Sequence, residues 1–131
     1  MVTTYDAKDV AVIVDSSYLT GFAEGTFVSW AKDEENFSVS VGAQGDVARA
    51  KVNNPLGTIT VTLQQTSPQV AMLNNLANAG TIFACSVIDK GTSNVKVGGS
   101  ECFVKKPADG ERSDEVGTAE FEICVMDFSI G

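Results

Sequence analysis

Two segments of the chain alternate apolar and polar residues with period two. In residues 36–41 (NFSVSV), Phe37, Val39 and Val41 share one side, and Asn36, Ser38 and Ser40 the other. In residues 58–65 (TITVTLQQ), Ile59, Val61 and Leu63 oppose Thr58, Thr60, Thr62 and Gln64. Successive strand side chains point to opposite faces, so both segments read as antiparallel strands with one dry and one wet face. Their Val, Ile and Thr content suits a pleated, half-buried surface.

Other segments extend the β reading. Residues 8–15 (KDVAVIVD) form a nearly continuous apolar run, a strand covered on both faces. Ser16 and Ser17 punctuate it, and residues 18–20 return as a short hairpin partner. Residues 25–32 (GTFVSWAK) give a second strand, closed by the charged turn Asp33, Glu34 and Glu35. On a regular strand Phe27 and Trp30, three apart, face opposite sides, which makes one a core residue and the other a contact residue. Residues 81–89 (TIFACSVID) read as a buried strand. Lys90-Gly91 and Gly98-Gly99 are turn signals. Residues 100–106 (SECFVKK) form a strand that Pro107 ends. The final strand, residues 118–128 (TAEFEICVMDF), places Phe121, Ile123 and Val125 on one side and Glu120 and Glu122 on the other.

One helix interrupts this pattern. Ser67 is an N-cap candidate and Pro68 suits the first helical position. Gln69, Met72, Leu73, Leu76 and Ala77 follow at helical spacing, and Gly80 ends the helix in the left-handed conformation. Residues 42–57 (GAQGDVARAKVNNPLG) join the two alternating strands. A connection of that length inside a small domain is usually a functional loop or an interaction arm. It carries Arg49 and Lys51, two of the nine basic residues. No internal repeat or domain linker appears, so residues 1–131 read as one domain with the arm 42–57 within it.

Composition removes several function classes. Seventeen acids against nine bases give a formal net charge of −8, the wrong sign for gripping a nucleic-acid backbone. The chain has no histidine, so a Ser-His-Asp or Cys-His arrangement cannot be drawn within it. Cys85, Cys102 and Cys124 sit singly in apolar runs and read as buried thiols rather than disulfide or zinc ligands. No phosphate loop, EF-hand or GxGxxG is present. Gly42 to Gly45 has GxxG spacing, but Asp46 beside it repels phosphate. The acid clusters 33–35 and 109–115 could hold calcium weakly; charged, solvated turns describe them better. Glu120 and Glu122 share a face as a glycosidase pair would, although a solvated strand face is the simpler account. The N-terminus shows no signal-peptide pattern, and no apolar run is long enough to span a membrane. The expectation is a non-enzymatic subunit that needs no cofactor or metal. The polar strand faces fit an ordinary solvent face or the wall of a water-filled passage equally well.

The runs YDAKDVAVIVD and YLTGFAEGTFVSW, then KDEENFSVSVGAQGDVARAKVNNPLGTITVTLQQTSP, and finally KKPADGERSDE resemble the tail tube proteins of contractile-tailed bacteriophages, nearest to the phiTE-type tube family. The resemblance spans nearly the whole chain. It implies a mainly β, antiparallel sandwich or barrel-like tail tube fold with one flanking α-helix. It implies hexameric rings stacked into a tube inside a contractile sheath, with tape measure and baseplate or terminator proteins as further partners. The localisation implied is the virion tail, after synthesis in the host bacterial cytoplasm, and DNA passes through the lumen without specific binding. Six copies carry 6 × (−8) = −48 formal charges, which repels a polyanion. On this reading Ser38, Ser40, Thr58, Thr60, Thr62 and Gln64, with Glu120 and Glu122, line the lumen. Phe37, Val39, Val41 and the apolar residues of the other strands face the core. Gln44, Asp46, Arg49, Lys51, Asn53 and Asn54 on the arm contact the adjacent ring. A secretion-system ring protein, a tube of a phage-derived bacteriocin and a carboxylate hydrolase are the alternatives.

Overall fold

The computed structural model describes residues 4–91, 95–110 and 113–131. A short 3-10 turn leads into β1 (Val10–Val14), followed by β2 (Ser17–Tyr18), β3 (Val28–Lys32), β4 (Phe37–Val41), β5 (Val47–Lys51) and β6 (Gly57–Gln64). The helix α1 (Gln69–Ala79) separates these from β7 (Phe83–Asp89), β8 (Lys96–Val104), β9 (Thr118–Val125) and β10 (Ser129–Ile130). Eight strands form one antiparallel sheet in the order β2-β1-β7-β8-β9-β6-β3, with β10 pairing β8. The remaining two, β4 and β5, pair only with each other.

Every paired register puts apolar residues of neighbouring strands on the same side. Val12 faces Val87, Val61 faces Phe121, Ile59 faces Ile123, and Val28 faces Val61. These side chains gather into one buried cluster that also includes Leu73 of α1. A flat sheet cannot bring β1 and β3, at opposite ends of its order, against the same core. The sheet therefore rolls over on itself, as right-handed strand twist allows. It does not close: β2 and β3 remain edges, and a cleft lined by Tyr5, Val10, Phe27 and Trp30 runs between the β1 and β3 sides.

Several local expectations change form. β1 and β2 make the expected tight hairpin, with Asp15 and Ser16 both at positive φ in the turn. The strand β1 is buried on the Val12 and Val14 side only, not on both. Gly98 and Gly99 make no turn. They lie inside β8, where Cys85 faces Gly99 but Phe83 faces Cys102, so β8 carries one extra residue. A Cβ on Gly99 would collide with the Asp127 carboxylate. Glycine here permits close approach of backbone at a bulge.

The helix ends on Gly80 in the left-handed conformation, and the Thr81 N–H donates back to Leu76 O at 3.3 Å. Its start differs from expectation. Pro68 is the cap residue and no side chain caps the first turn. The Ser67 hydroxyl instead donates to Thr20 O at 2.6 Å, tying the 19–27 segment to the helix. Trp30 faces the core beside Val28, while Phe27 precedes β3 and packs its ring 4.9 Å from that of Phe22. Neither ring makes the free contact surface that alternation suggested.

Candidate functional site

Two surfaces stand out. The first is the wet face of β6 and β9. Their eight-residue register sets Thr60 opposite Glu122, Thr62 opposite Glu120 and Gln64 opposite Thr118. The apolar residues between them are buried, whereas Thr58, Thr60 and Thr62 are half-buried and Thr118 and the glutamates exposed. Ser29 and Ala31 of β3 continue the face beside Thr60 and Thr58. Few charges on it are neutralised. Lys105 approaches Glu122 at 3.8 Å, with both side chains about half in water, and Thr58 Oγ1 donates to Asp33 Oδ1 at 3.0 Å. A groove of about 400 Å³ opens on this face between the Lys106, Asp109 and Gly110 loop and Thr118, Glu120 and Glu122. Thr58, Thr60, Thr62, Gln64, Glu120 and Glu122 thus share one continuous patch.

Ser38 and Ser40 do not belong to that patch. They sit on the second surface, the β4–β5 hairpin, and β4 pairs no strand of the main sheet. The arm expected as a connection over 42–57 supplies the second strand of this hairpin. Gly42 to Asp46 form its turn, closed by Gly42 N–H donating to Asp46 O at 2.7 Å. All ten strand residues are exposed. This corrects the placing of Phe37, Val39 and Val41 in the core: Phe37 is 39% exposed, Val39 65% and Val41 67%. Alternation marks two faces but does not say what covers either of them.

The hairpin is amphipathic. One side carries Phe37, Val39, Val41 and Val47 with Arg49 and Lys51; the other carries Ser38, Ser40, Ala48 and Ala50. The Arg49 guanidinium lies 4.1 Å from the centre of the Phe37 ring, a cation–π contact. Neither Arg49 nor Lys51 has an ion-pair partner among the described residues. Gln44 and Asp46 lie in the turn and Asn53 and Asn54 on the return to β6, where Asn54 Oδ1 accepts from Leu56 N–H at 3.0 Å.

The hairpin root is fixed by residues that strand patterning did not single out. After β9 the chain kinks, and Asp127 accepts from Ser100 N–H at 3.0 Å, Ser100 Oγ at 2.7 Å and Glu101 N–H at 3.0 Å. These donors belong to the β8 bulge, which would otherwise leave them without partners. The Ser100 N–H, then the Ser100 hydroxyl and the Glu101 N–H, hold the Asp127 carboxyl below its ordinary value. Phe128 N–H then donates to Pro55 O at 3.0 Å, at the end of the hairpin's return. The Gly98-Gly99 pair inside an apolar strand was the available signal for this arrangement.

The three cysteines are free and buried, as the sequence implied. Burial, with Cys102 nearby, pushes the Cys85 thiol up to about 12, and burial pushes Cys102 to about 11. Such thiols are poor nucleophiles. No metal-holding cluster occurs among the described residues, and no helix of the structure is long and apolar enough to cross a membrane.

The structure is a rolled β-domain with a broad polar face and a projecting hairpin whose apolar side is exposed. The profile of the family described as Bacteriophage PhiTE tail tube protein matches residues 3–130. The chain belongs to that family, whose members build tail tubes. No curated protein sequence is significantly similar to it. Among solved structures it is similar to the tube-terminating cap of the anti-feeding prophage, at 13% identity and a TM-score of 0.66, over 100% of this chain and 94% of the other. A chain of the extended sheath–tube complex of an extracellular contractile injection system (PVC) is similar at 10% identity and a TM-score of 0.64, covering 98% and 91%. A chain of the native gene transfer agent virion follows at 17% identity and a TM-score of 0.61, covering 98% and 99%. At these identities the likeness is one of fold.

Proposed function

We propose that this chain is the repeating subunit of an inner tail tube: six copies close into a ring, rings stack within a contractile sheath, and DNA passes down the lumen. The observation that carries the reading is the β6–β9 face, continuous, hydroxyl- and carboxylate-bearing, and flanked by the unpaired edge of β3. An open edge invites another strand, and a closed ring of copies satisfies every such edge. Thr58, Thr60, Thr62, Gln64, Glu120 and Glu122 then form the lumen wall. Its net negative charge disfavours adsorption of phosphate, which needs cations to displace counterions. Ser38 and Ser40, on the hairpin, line the lumen only where the hairpin of one ring enters the next. Gln44, Asp46, Arg49, Lys51, Asn53 and Asn54 make the ring-to-ring contact. Sheath, tape measure and terminator or baseplate proteins are the partners of the assembled tube, located in the virion after synthesis in the host bacterial cytoplasm. The subunit is a conduit wall with no catalytic role.

The likeness to a chain of an extracellular contractile injection system favours a second reading, a tube of a phage-derived bacteriocin or a secretion-system ring. Electron micrographs of purified particles separate them: DNA-filled heads on long tubes, headless tubes, or isolated rings.

The wall assignment is tested with Thr60→Cys. On free subunits both a small maleimide and a bulky, protein-sized maleimide conjugate should label it. On assembled tubes the small reagent should still enter and the bulky one should be excluded. Equal labelling of tubes by the bulky conjugate would put this face outside.

A further inference from the structure

The β3–β6 pair and the β4–β5 hairpin are two parts of one ribbon, interrupted by a joint. On the sheet side the last rung is Asp33 N–H to Leu56 O at 3.0 Å, one step beyond the Lys32–Gly57 pair. On the hairpin side the first rung is Val52 N–H to Asn36 O at 2.8 Å, next to the Phe37–Lys51 pair. Among the described residues, no backbone hydrogen bond joins Glu34 or Glu35 to Asn53, Asn54 or Pro55. Two strands without rungs or a packed face have nothing of their own to fix their direction.

A third segment enters this joint. Phe128 N–H donates to the Pro55 carbonyl at 3.0 Å, and the Phe128 ring fills the space over Gly57. Phe128, Ser129 and Ile130 also face Glu34, Glu35 and Asn36 of the outgoing limb across a groove of about 490 Å³. The segment is anchored in a different strand. Ser129 and Ile130 pair with Gly98 and Val97 of β8, and Gly131 and Lys96 exchange two hydrogen bonds of 2.8 Å. Asp127 holds the β8 bulge beside them.

The charges at the joint do not replace this brace. Glu34 and Glu35 are exposed neighbours of like sign, and neither has an ion-pair partner among the described residues. Asp33 accepts from Thr58 Oγ1, which lies on the sheet side. Lys32 Nζ donates to Asn36 Oδ1 across the joint, but both side chains are exposed, where such contacts contribute little.

We infer that residues 127–131 are a strap that fixes the direction of the β4–β5 hairpin from β8, with Phe128 as the positioning residue. With the strap docked, both limbs of the joint are held; with it released, the hairpin swings on an otherwise intact domain. The strap acts within one subunit. Its consequence for assembly rests on the tube reading: a hairpin held in one direction meets a neighbouring copy without first having to be ordered.

Pulsed electron spin resonance on dilute, unassembled subunits reads the direction. Labels go on Ala48→Cys, near the hairpin tip, and Asn75→Cys, on the exposed side of α1. The native cysteines are buried and stay unlabelled. The strap intact should give one narrow distance peak. Ser129→Pro, which breaks the pairing with Gly98 at an exposed edge position, and Phe128→Ala should each lose that peak to a broad spread, with circular dichroism unchanged. Lys32→Met should keep it. A narrow peak retained in both strap variants, or lost only in Lys32→Met, would overturn the inference. Amide exchange on the unaltered chain is independent of any variant. Phe128 N–H should be protected to the level of Asp33 N–H, and unprotected exchange at Phe128 would equally overturn the strap. In tube growth, Ser129→Pro should need an about tenfold higher concentration if the freed hairpin holds the docked direction about a tenth of the time. A broadened peak with unchanged growth would overturn the link to assembly. A wild type that grows no tubes would overturn the tube reading and leave the spin-label result to judge the strap.

Discussion

Phe128 lies over Gly57 so closely that a Cβ on residue 57 would stand inside the phenyl ring. The contact holds the first residue of β6 and, through Phe128 N–H and Pro55 O, the root of the hairpin. Gly57→Ala overpacks this site and should cost about 1–3 kcal/mol. Chemical denaturation measures it. In a Phe128→Leu background the same substitution should cost less, because the two changes share one space.

Asp127 should make stability depend on pH in acid. Its carboxyl is held below the ordinary 3.8 in the folded chain, first by Ser100. A depressed folded value stabilises at pH above the unfolded value, and the contribution disappears as pH falls through the folded one. Asp127→Asn should therefore be less stable than wild type at neutral pH, by less than about 1 kcal/mol because the carboxylate is exposed to solvent. The gap should narrow below about pH 4. Urea unfolding of both proteins along a pH series checks the direction. A gap that widens in acid would contradict the clamp.

Thiol chemistry reports on the core. With Cys85 at about 12 and Cys102 at about 11, and Cys124 buried, native protein should resist maleimide at neutral pH. All three cysteines should react in denaturant, and mass spectrometry counts the adducts.

Burial and surface pairing should separate sharply in a mutant pair. Leu73 is the one fully buried residue of α1, and Leu73→Ala should cost about 2–5 kcal/mol. Lys105 and Glu122 are half in water at 3.8 Å, so Lys105→Met should cost less than about 1 kcal/mol. Thermal melts of the two variants test the ordering.

The alternation of β6 and β9 was legible because one face of each is covered by the subunit's own core. The alternation of β4 looked the same, yet Phe37, Val39 and Val41 are exposed. A period-two pattern records that a face is apolar, and a neighbouring chain can cover it as well as a core can. The segment 42–57 was legible as a long excursion from the sheet, but its strand Val47–Lys51 was not, since short Ala and Arg stretches carry little strand preference. Gly98 and Gly99 signalled a turn, and only the register shift between β7 and β8 shows a bulge. Ser67 had the right spacing for a cap, but a carbonyl 47 residues away takes its proton. The Asp127 clamp depends on three donors from a strand some 26 to 27 residues distant, which no local pattern encodes.

Ten strand residues of the β4–β5 hairpin touch solvent rather than the subunit's interior. Surface changes of that kind usually move folding stability by less than about 0.5 kcal/mol. A mutational scan scored by abundance or solubility would therefore rate Val39, Val41, Val47 and Arg49 as freely replaceable. A scan scored by infectivity or particle yield should rank them among the least tolerant positions. On the proposed assembly, the difference between those two maps marks where one copy meets the next.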